Sequence, residues 1–165
     1  MFDETKKYKN NGHFFFKKGD SLKEVSRKVP DLPGIHYIVR LSGGRIDLVY
    51  IGKSGTMKQN GKFNDQGLKI SLNSKHDGIE TQDYFESRIL KESIDAFDIY
   101  WFVTIDSKSQ DLPSFAEGLL IQRFFELYGK EAYGLRQKAQ GHARCNKFIL
   151  STYFSQVFLH APEYV

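Results

Sequence analysis

"PGIHYIVRLSGGRIDLVYIGKSG", residues 33–55, holds two apolar runs around a Gly-Gly pair. Both "IHYIVRL" and "RIDLVYI" are rich in Ile, Val, Leu and Tyr, the residues that suit a pleated, half-buried surface. Two glycines between such runs are a strong short-range hairpin signal, because a two-residue hairpin turn needs positive φ. The hairpin is the nucleus of a sheet, and the rest of the chain is read by what covers it.

Downstream, "KSGTMKQNGKFNDQG" forms a long polar stretch, residues 53–67, with three glycines and four lysines in the wider run to Lys69. A connection of that length points to function. "LKISLNSK" predicts a short helical turn, and "TQDYFESRILKES" spaces Tyr84, Phe85, Ile89 and Leu90 as a helix does. "FDIYWFVTI" is almost continuously apolar and reads as a central strand buried on both faces. "LPSFAEGLLIQRFFELYG" is the clearest helix, closed by Gly129. "NKFILSTYFSQVFLH" is apolar and fits either helix or strand.

Upstream, residues 1–12 read as a loose start. "HFFFKKGD" is too apolar for a free tail and is expected to dock on the core. In "SLKEVSRKV", Asp20 or Ser21 can cap a short helix with Leu22, Val25 and Val29 on one side, stopped by Pro30 and Pro33. The order predicts an α+β domain with a small, mostly antiparallel three-stranded sheet flanked by helices. A chain of 165 residues suits one domain. It divides into an N-terminal extension and helix (1–32), a core (33–147) and a C-terminal extension (148–165).

Composition narrows the class. Apolar residues make up 40% of the chain, with 14 Phe and 9 Tyr, which is a packed globular composition. No apolar run approaches the roughly 18 residues of a membrane span, and the polar N-terminus has no signal core. A soluble cytoplasmic protein with no membrane partner is expected. A single cysteine, Cys145, excludes a disulfide framework and any multi-cysteine zinc site. Net charge is +4. Basic residues cluster from Arg123 to Lys147, including Lys130, Arg136, Lys138 and Arg144. Such a patch fits either phosphate neutralisation or a solvated basic face.

Gly34-Ile35-His36-Tyr37 followed by Tyr50-Ile51-Gly52 resembles the paired signature of the GIY-YIG nuclease domain. The likeness continues. "GLKISL" is similar to that family's first helix, Glu117 in "FAEGLLIQRFFELYG" to its metal-binding glutamate, and Asn146 in "CNKF" to the asparagine that follows. The order and spacing match from about residue 33 to residue 147.

The resemblance implies a Mg²⁺- or Mn²⁺-dependent DNA endonuclease, compact in the manner of single-domain restriction enzymes. It implies that a first-strand tyrosine activates water and that the second-strand Tyr50 positions it. A single divalent cation on Glu117 would relieve charge on the phosphate. Lys53, Lys58, Lys62, Lys69, Arg144 and Lys147 would contact the nucleic acid; a solvated loop is the plain alternative for the lysines.

The first-strand assignment stays open. Counting from Gly34 puts His36 at the family's tyrosine; one extra residue, as in some relatives, gives Tyr37. Successive strand residues face opposite sides, so only one can serve the site. Histidine is a competent base near neutral pH. Packing strand tyrosines is the ordinary role of Tyr37 and Tyr50, and a turn or cap that of Asn146. Glu117 has two readings as well. Ser114-x-x-Glu117 is a capping box, whereas Ile121, Phe124 and Tyr128 put Glu117 on an inward face where a metal would be a partner.

One position departs from the family. Its first helix carries an arginine where Ser71 stands. Losing such a phosphate donor costs on the order of 3 kcal/mol in the transition state. The serine is a replacement that stalls cleavage, the mark of a binder without activity, or a place filled by another cation among Lys69, Lys75 and Arg88. The competing class is therefore a non-catalytic nucleic-acid-binding module on the same fold, and a third is a basic α+β domain with no nucleic-acid role.

Overall fold

The computed structural model describes residues 2–64, 66–76 and 78–128. A 3-10 turn (Asp3–Lys7) precedes β1 (Asn11–Phe16), α1 (Leu22–Val25), β2 (Gly34–Ser42) and β3 (Arg45–Ser54). Then come α2 (Leu68–Asn73), the two-residue strands β4 (Lys75–His76) and β5 (Ile79–Glu80), α3 (Thr81–Glu92), β6 (Ala96–Val103) and α4 (Pro113–Tyr128). The architecture is α+β. Its main sheet has the order β1-β6-β2-β3, with every neighbouring pair antiparallel.

The expected strands β2, β3 and β6 form the centre and one edge. "HFFF" adds a fourth strand at the other edge. Phe16 is fully buried while His13 and Phe15 face outward, an alternation that three consecutive Phe conceal. The start of the chain is not loose: Phe2, Thr5 and Tyr8 are buried, and the Tyr8 hydroxyl donates to Asp111 Oδ2 at 2.8 Å.

Helices cover both faces of the sheet. On one face Leu22 and Val29, Leu68 and Leu72 of α2, and Phe85 and Ile89 of α3 pack against Ile38, Ile99, Trp101 and Val103. On the other face Ala116, Leu120 and Phe124 of α4, with Phe2 and Tyr8, pack against Ile35, Tyr37, Val39, Ile51 and Phe102. β6 contributes alternately to both clusters, as a central strand does. In α3 the buried stripe is Thr81, Phe85 and Ile89, and Leu90 is turned outward.

The hairpin turn is built as the Gly pair demands, with φ of +55° and +78° at Gly43 and Gly44. Further along, the register slips. Val39 pairs with Leu48, but Ile38 pairs with Tyr50, so Val49 is the extra residue of a β-bulge. Val49 and Tyr50 consequently pack against the same cluster, while Leu48 and Ile51 belong to the other.

Among the described residues no helix is long and apolar enough to cross a membrane.

Candidate active site

A row of four residues crosses the sheet near its end, two residues in from the start of β2: Gly12, Trp101, His36 and Gly52, one per strand in spatial order. The two glycines leave room that large rings occupy. A Cβ on Gly12 would lie 2.7 Å from Cζ2 of Trp101, and one on Gly52 would overlap the phenol of Tyr50. The Tyr50 ring therefore folds back over Gly52, and its centroid lies 5.5 Å from that of His36 at a tilt of 35°. His36 is 6% exposed and Tyr50 is half-buried.

The bulge decides which first-strand residue joins Tyr50. Carried unbroken from the turn, the pairing Ser42↔Arg45 would set Tyr37 opposite Tyr50. The extra residue moves Tyr50 opposite Ile38 and onto the side of His36. Tyr37 faces the other way, stacked on Tyr100 at 4.7 Å and met edge-on by Phe2 at 5.3 Å. Burial holds the Tyr37 phenol well above its usual pKa, with Tyr100 and Asp98 adding to the effect. A phenol so placed stays protonated and is a poor base.

The helices that frame this region begin at one end of the sheet. At the start of α2, Leu68 N–H donates to the Leu32 carbonyl and Lys69 N–H to that of Pro30, just ahead of β2. Before α4, Thr104 N–H donates to the Pro33 carbonyl and Asp111 N–H to that of Thr104. α2 and α4 thus both start where β2 begins and β3 and β6 finish, on opposite faces. Ser71 is half-buried on α2, beside Leu72, which packs in the cluster on the Tyr50 face.

Glu117 is half-buried on the flank of α4, whose buried residues are Pro113, Ala116, Leu120 and Phe124. The inward face is therefore one position away from the one that Ile121, Phe124 and Tyr128 suggested; Tyr128 is 50% exposed. Ser114 is not the N-cap that a capping box needs. Ala116 N–H donates to the Leu112 carbonyl, so Leu112 caps the helix, Pro113 opens it and Ser114 lies inside the first turn. No three His, Cys, Asp or Glu among the described residues gather as a metal-binding group. A lone carboxylate is nevertheless the kind of donor that a hydrated hard cation accepts, water and phosphate oxygens completing the shell.

The three cations weighed against Ser71 all have partners. Arg88 ion-pairs with Glu92, with Nε to Oε1 at 2.7 Å, and Glu92 also receives Arg40, which in turn holds Asp47 at 2.6 Å. Lys75 pairs with Glu80 at 3.1 Å, and Lys69 Nζ approaches the Arg27 carbonyl at 3.5 Å. Tyr84 stands one turn before Arg88 on α3. Its ring lies 5.9 Å from the Arg88 guanidinium, and burial pushes its phenol up to about 12 despite that charge. The Tyr84/Arg88 spacing of four on a helix was the available signal.

Lys53 is half-buried at the end of β3, whereas Lys58 and Lys62 are exposed beyond it. Arg123 is paired with Glu4 and Glu126. Asn146, Arg144, Lys147 and the rest of the basic segment from Lys130, together with Cys145 and the C-terminal extension, lie outside the described residues. No family model matches this chain, and no curated protein or solved structure does either.

Proposed function

We propose that the chain is a divalent-metal-dependent DNA endonuclease of the GIY-YIG type, acting in the cytoplasm. The observation that carries this is the His36–Tyr50 pair, two rings 5.5 Å apart over a glycine, at the sheet end where α2 and α4 both start. In this reading His36 takes the proton of the attacking water and Tyr50 orients that water by its hydroxyl. Water oxygen bonds to phosphorus, the bond from phosphorus to the leaving oxygen breaks, and that oxygen takes a proton from solvent water, while the proton on His36 returns to solvent. The Ser71 hydroxyl donates one hydrogen bond to a phosphate oxygen in place of a guanidinium fork. Glu117 stands on α4, which packs on the sheet face opposite to His36 and Tyr50, so it would have to reach a shared phosphate around the strand end; there it would hold Mg²⁺ or Mn²⁺, which when bound would supply positive charge for that phosphate. Tyr37 has no part in it.

A second reading is favoured by two specific observations. Ser71 is the weaker donor, and His36 at 6% exposure is guarded from the water it would activate. Both suit a module on this fold that binds nucleic acid without cutting it.

Supercoiled plasmid incubated with Mg²⁺ separates the readings, using the protein as it is and Ser71→Arg. Nicking that His36→Ala abolishes supports the nuclease. Nicking by Ser71→Arg alone identifies an active site stalled at that position. Binding with a steep salt dependence and no nicking by either form selects the binding module. Absence of both binding and nicking defeats the nucleic-acid reading altogether.

A further inference from the structure

Directly past Tyr50 and Gly52, the long polar stretch is a built two-stranded ribbon. Thr56 N–H donates to Asn64 Oδ1 at 2.7 Å, and Asn64 N–H returns to the Thr56 carbonyl at 3.0 Å. Met57 bridges to Phe63, and Lys58 N–H donates to the Lys62 carbonyl at 2.8 Å. The tip is a three-residue turn, Gln59-Asn60-Gly61, closed by Gly61 N–H to the Lys58 carbonyl at 3.0 Å with Gly61 at φ +76°. Asn60 Oδ1 accepts from Lys62 N–H at 3.1 Å, so its side chain helps to hold the turn. At the base, Gly55 (φ +83°) lies so close to Pro33 that a Cβ would come 2.8 Å from the proline ring. The ribbon is thereby fixed to the strand end that carries the His36 row.

Its outer residues are not those of a packed element. Residues 56–62 are exposed, including Met57 at 45%. From residue 48 to residue 64 the chain has three lysines and no acidic residue. Two strands lie about 4.8 Å apart, so with side chains the ribbon fits a major groove about 12 Å wide and not a minor groove of about 6 Å. Three paired residues on each arm extend about 10 Å, enough to carry the tip to the floor of a groove about 8.5 Å deep.

We infer that residues 56–64 read duplex DNA in its major groove, with Gln59 as the base-reading side chain and Lys58 and Lys62 on the flanking phosphates. The Gln59 amide offers one donor and one acceptor, the pattern that an adenine edge answers. Lys58 and Lys62 stand opposite each other on the two arms, one toward each strand of the duplex. This rests on DNA being the substrate.

The test uses the full chain and a pool of randomised duplexes, selected by binding without divalent metal. The wild type should enrich a defined motif. Gln59→Ala should flatten it at one or two base pairs by roughly 5- to 100-fold, with unchanged affinity for unselected duplex. Lys58→Ala and Lys62→Ala should weaken binding to all sequences and each lower the salt slope by about 1. An identical motif from Gln59→Ala overturns the inference. Wild-type binding without any sequence preference also overturns it, and leaves DNA as the substrate standing. If the wild type binds no duplex, the functional reading falls first and this inference with it.

Discussion

Gly52 is placed under the ring whose position the site depends on. It has no positive φ, so backbone freedom is not what requires glycine there. The requirement is space: any Cβ meets the phenol of Tyr50, which is rigid and sits beside His36. Gly52→Ala should therefore destabilise the fold by about 1–3 kcal/mol, as overpacking does, and displace Tyr50. Gly118 gives the contrast. It lies in α4 with nothing within 4 Å of an added Cβ, so Gly118→Ala should stabilise by about 0.5–1 kcal/mol. Urea midpoints of the two variants check this; equal stability of Gly52→Ala and wild type would show that the ring is not held over the glycine. The sequence made Gly52 legible as part of a motif but not the reason for it. It also left His36 and Tyr37 undecided, because parity along β3 depends on a bulge at Val49. Val49 is an ordinary strand residue with nothing to announce an insertion. Two residues that alternate with certainty on β2 could not be matched to Tyr50 while the pairing itself was one residue uncertain.

At the scale of elements, the strands and helices with a clean period were readable: β2, β3, β6, α3 and α4 all lie where apolar spacing put them. β1 was not, since "FFF" carries no alternation, and its strand identity comes from pairing with β6. The polar residues that fasten it were equally silent. His13 Nδ1 lies 2.8 Å from Asp98 Oδ1, and Asp98 is 4% exposed in the middle of the sheet. Stacking on Tyr100 at 5.0 Å fixes the imidazole further. A carboxylate in the centre of a sheet needs such partners, and here one of them stands on the edge strand. His13→Ala should cost about 1–3 kcal/mol by leaving the buried carboxylate short of a donor. The loss should appear first as faster amide exchange in Asn11–Phe16, with β2 and β6 little changed. Removing both partners, as His13→Ala with Asp98→Ala, should cost less than the sum of the single changes. Additive losses, or exchange that rises equally in all four strands, would mean that the pair does not fasten β1.

At the scale of the whole molecule, the sheet separates two cores of different chemistry, and the one under α4 is rich in buried phenols. Tyr8 and Tyr37 are 2% and 4% exposed, and burial holds both far above the usual value of 10.0; Asp111 adds to the shift of Tyr8, and Tyr100 and Asp98 to that of Tyr37. Tyr100, at the open margin of the same cluster, is pushed up to about 12 by burial and by its hydrogen bond to Asp98. The sign follows from linkage. A raised pKa means that the folded state keeps its proton where the unfolded chain has lost it, so the contribution is complete below pH 10 and declines as pH rises toward the folded value. At pH 11 each fully buried phenol should have forfeited about 1.4 kcal/mol, roughly 3 kcal/mol for Tyr8 and Tyr37 together. Tyr84 and Tyr100 are more exposed and add a smaller, screened share. Lysines lose charge over the same range, so the decisive comparison is with Tyr37→Phe, which has no phenol to ionise in either state. Its fall in unfolding free energy between pH 8 and pH 11, read from denaturant titrations, should be smaller than that of the wild type by about 1.4 kcal/mol. Parallel curves for the two proteins would mean that Tyr37 ionises as readily in the fold as out of it, and would leave its orientation away from Tyr50 as the ground for excluding it as the base.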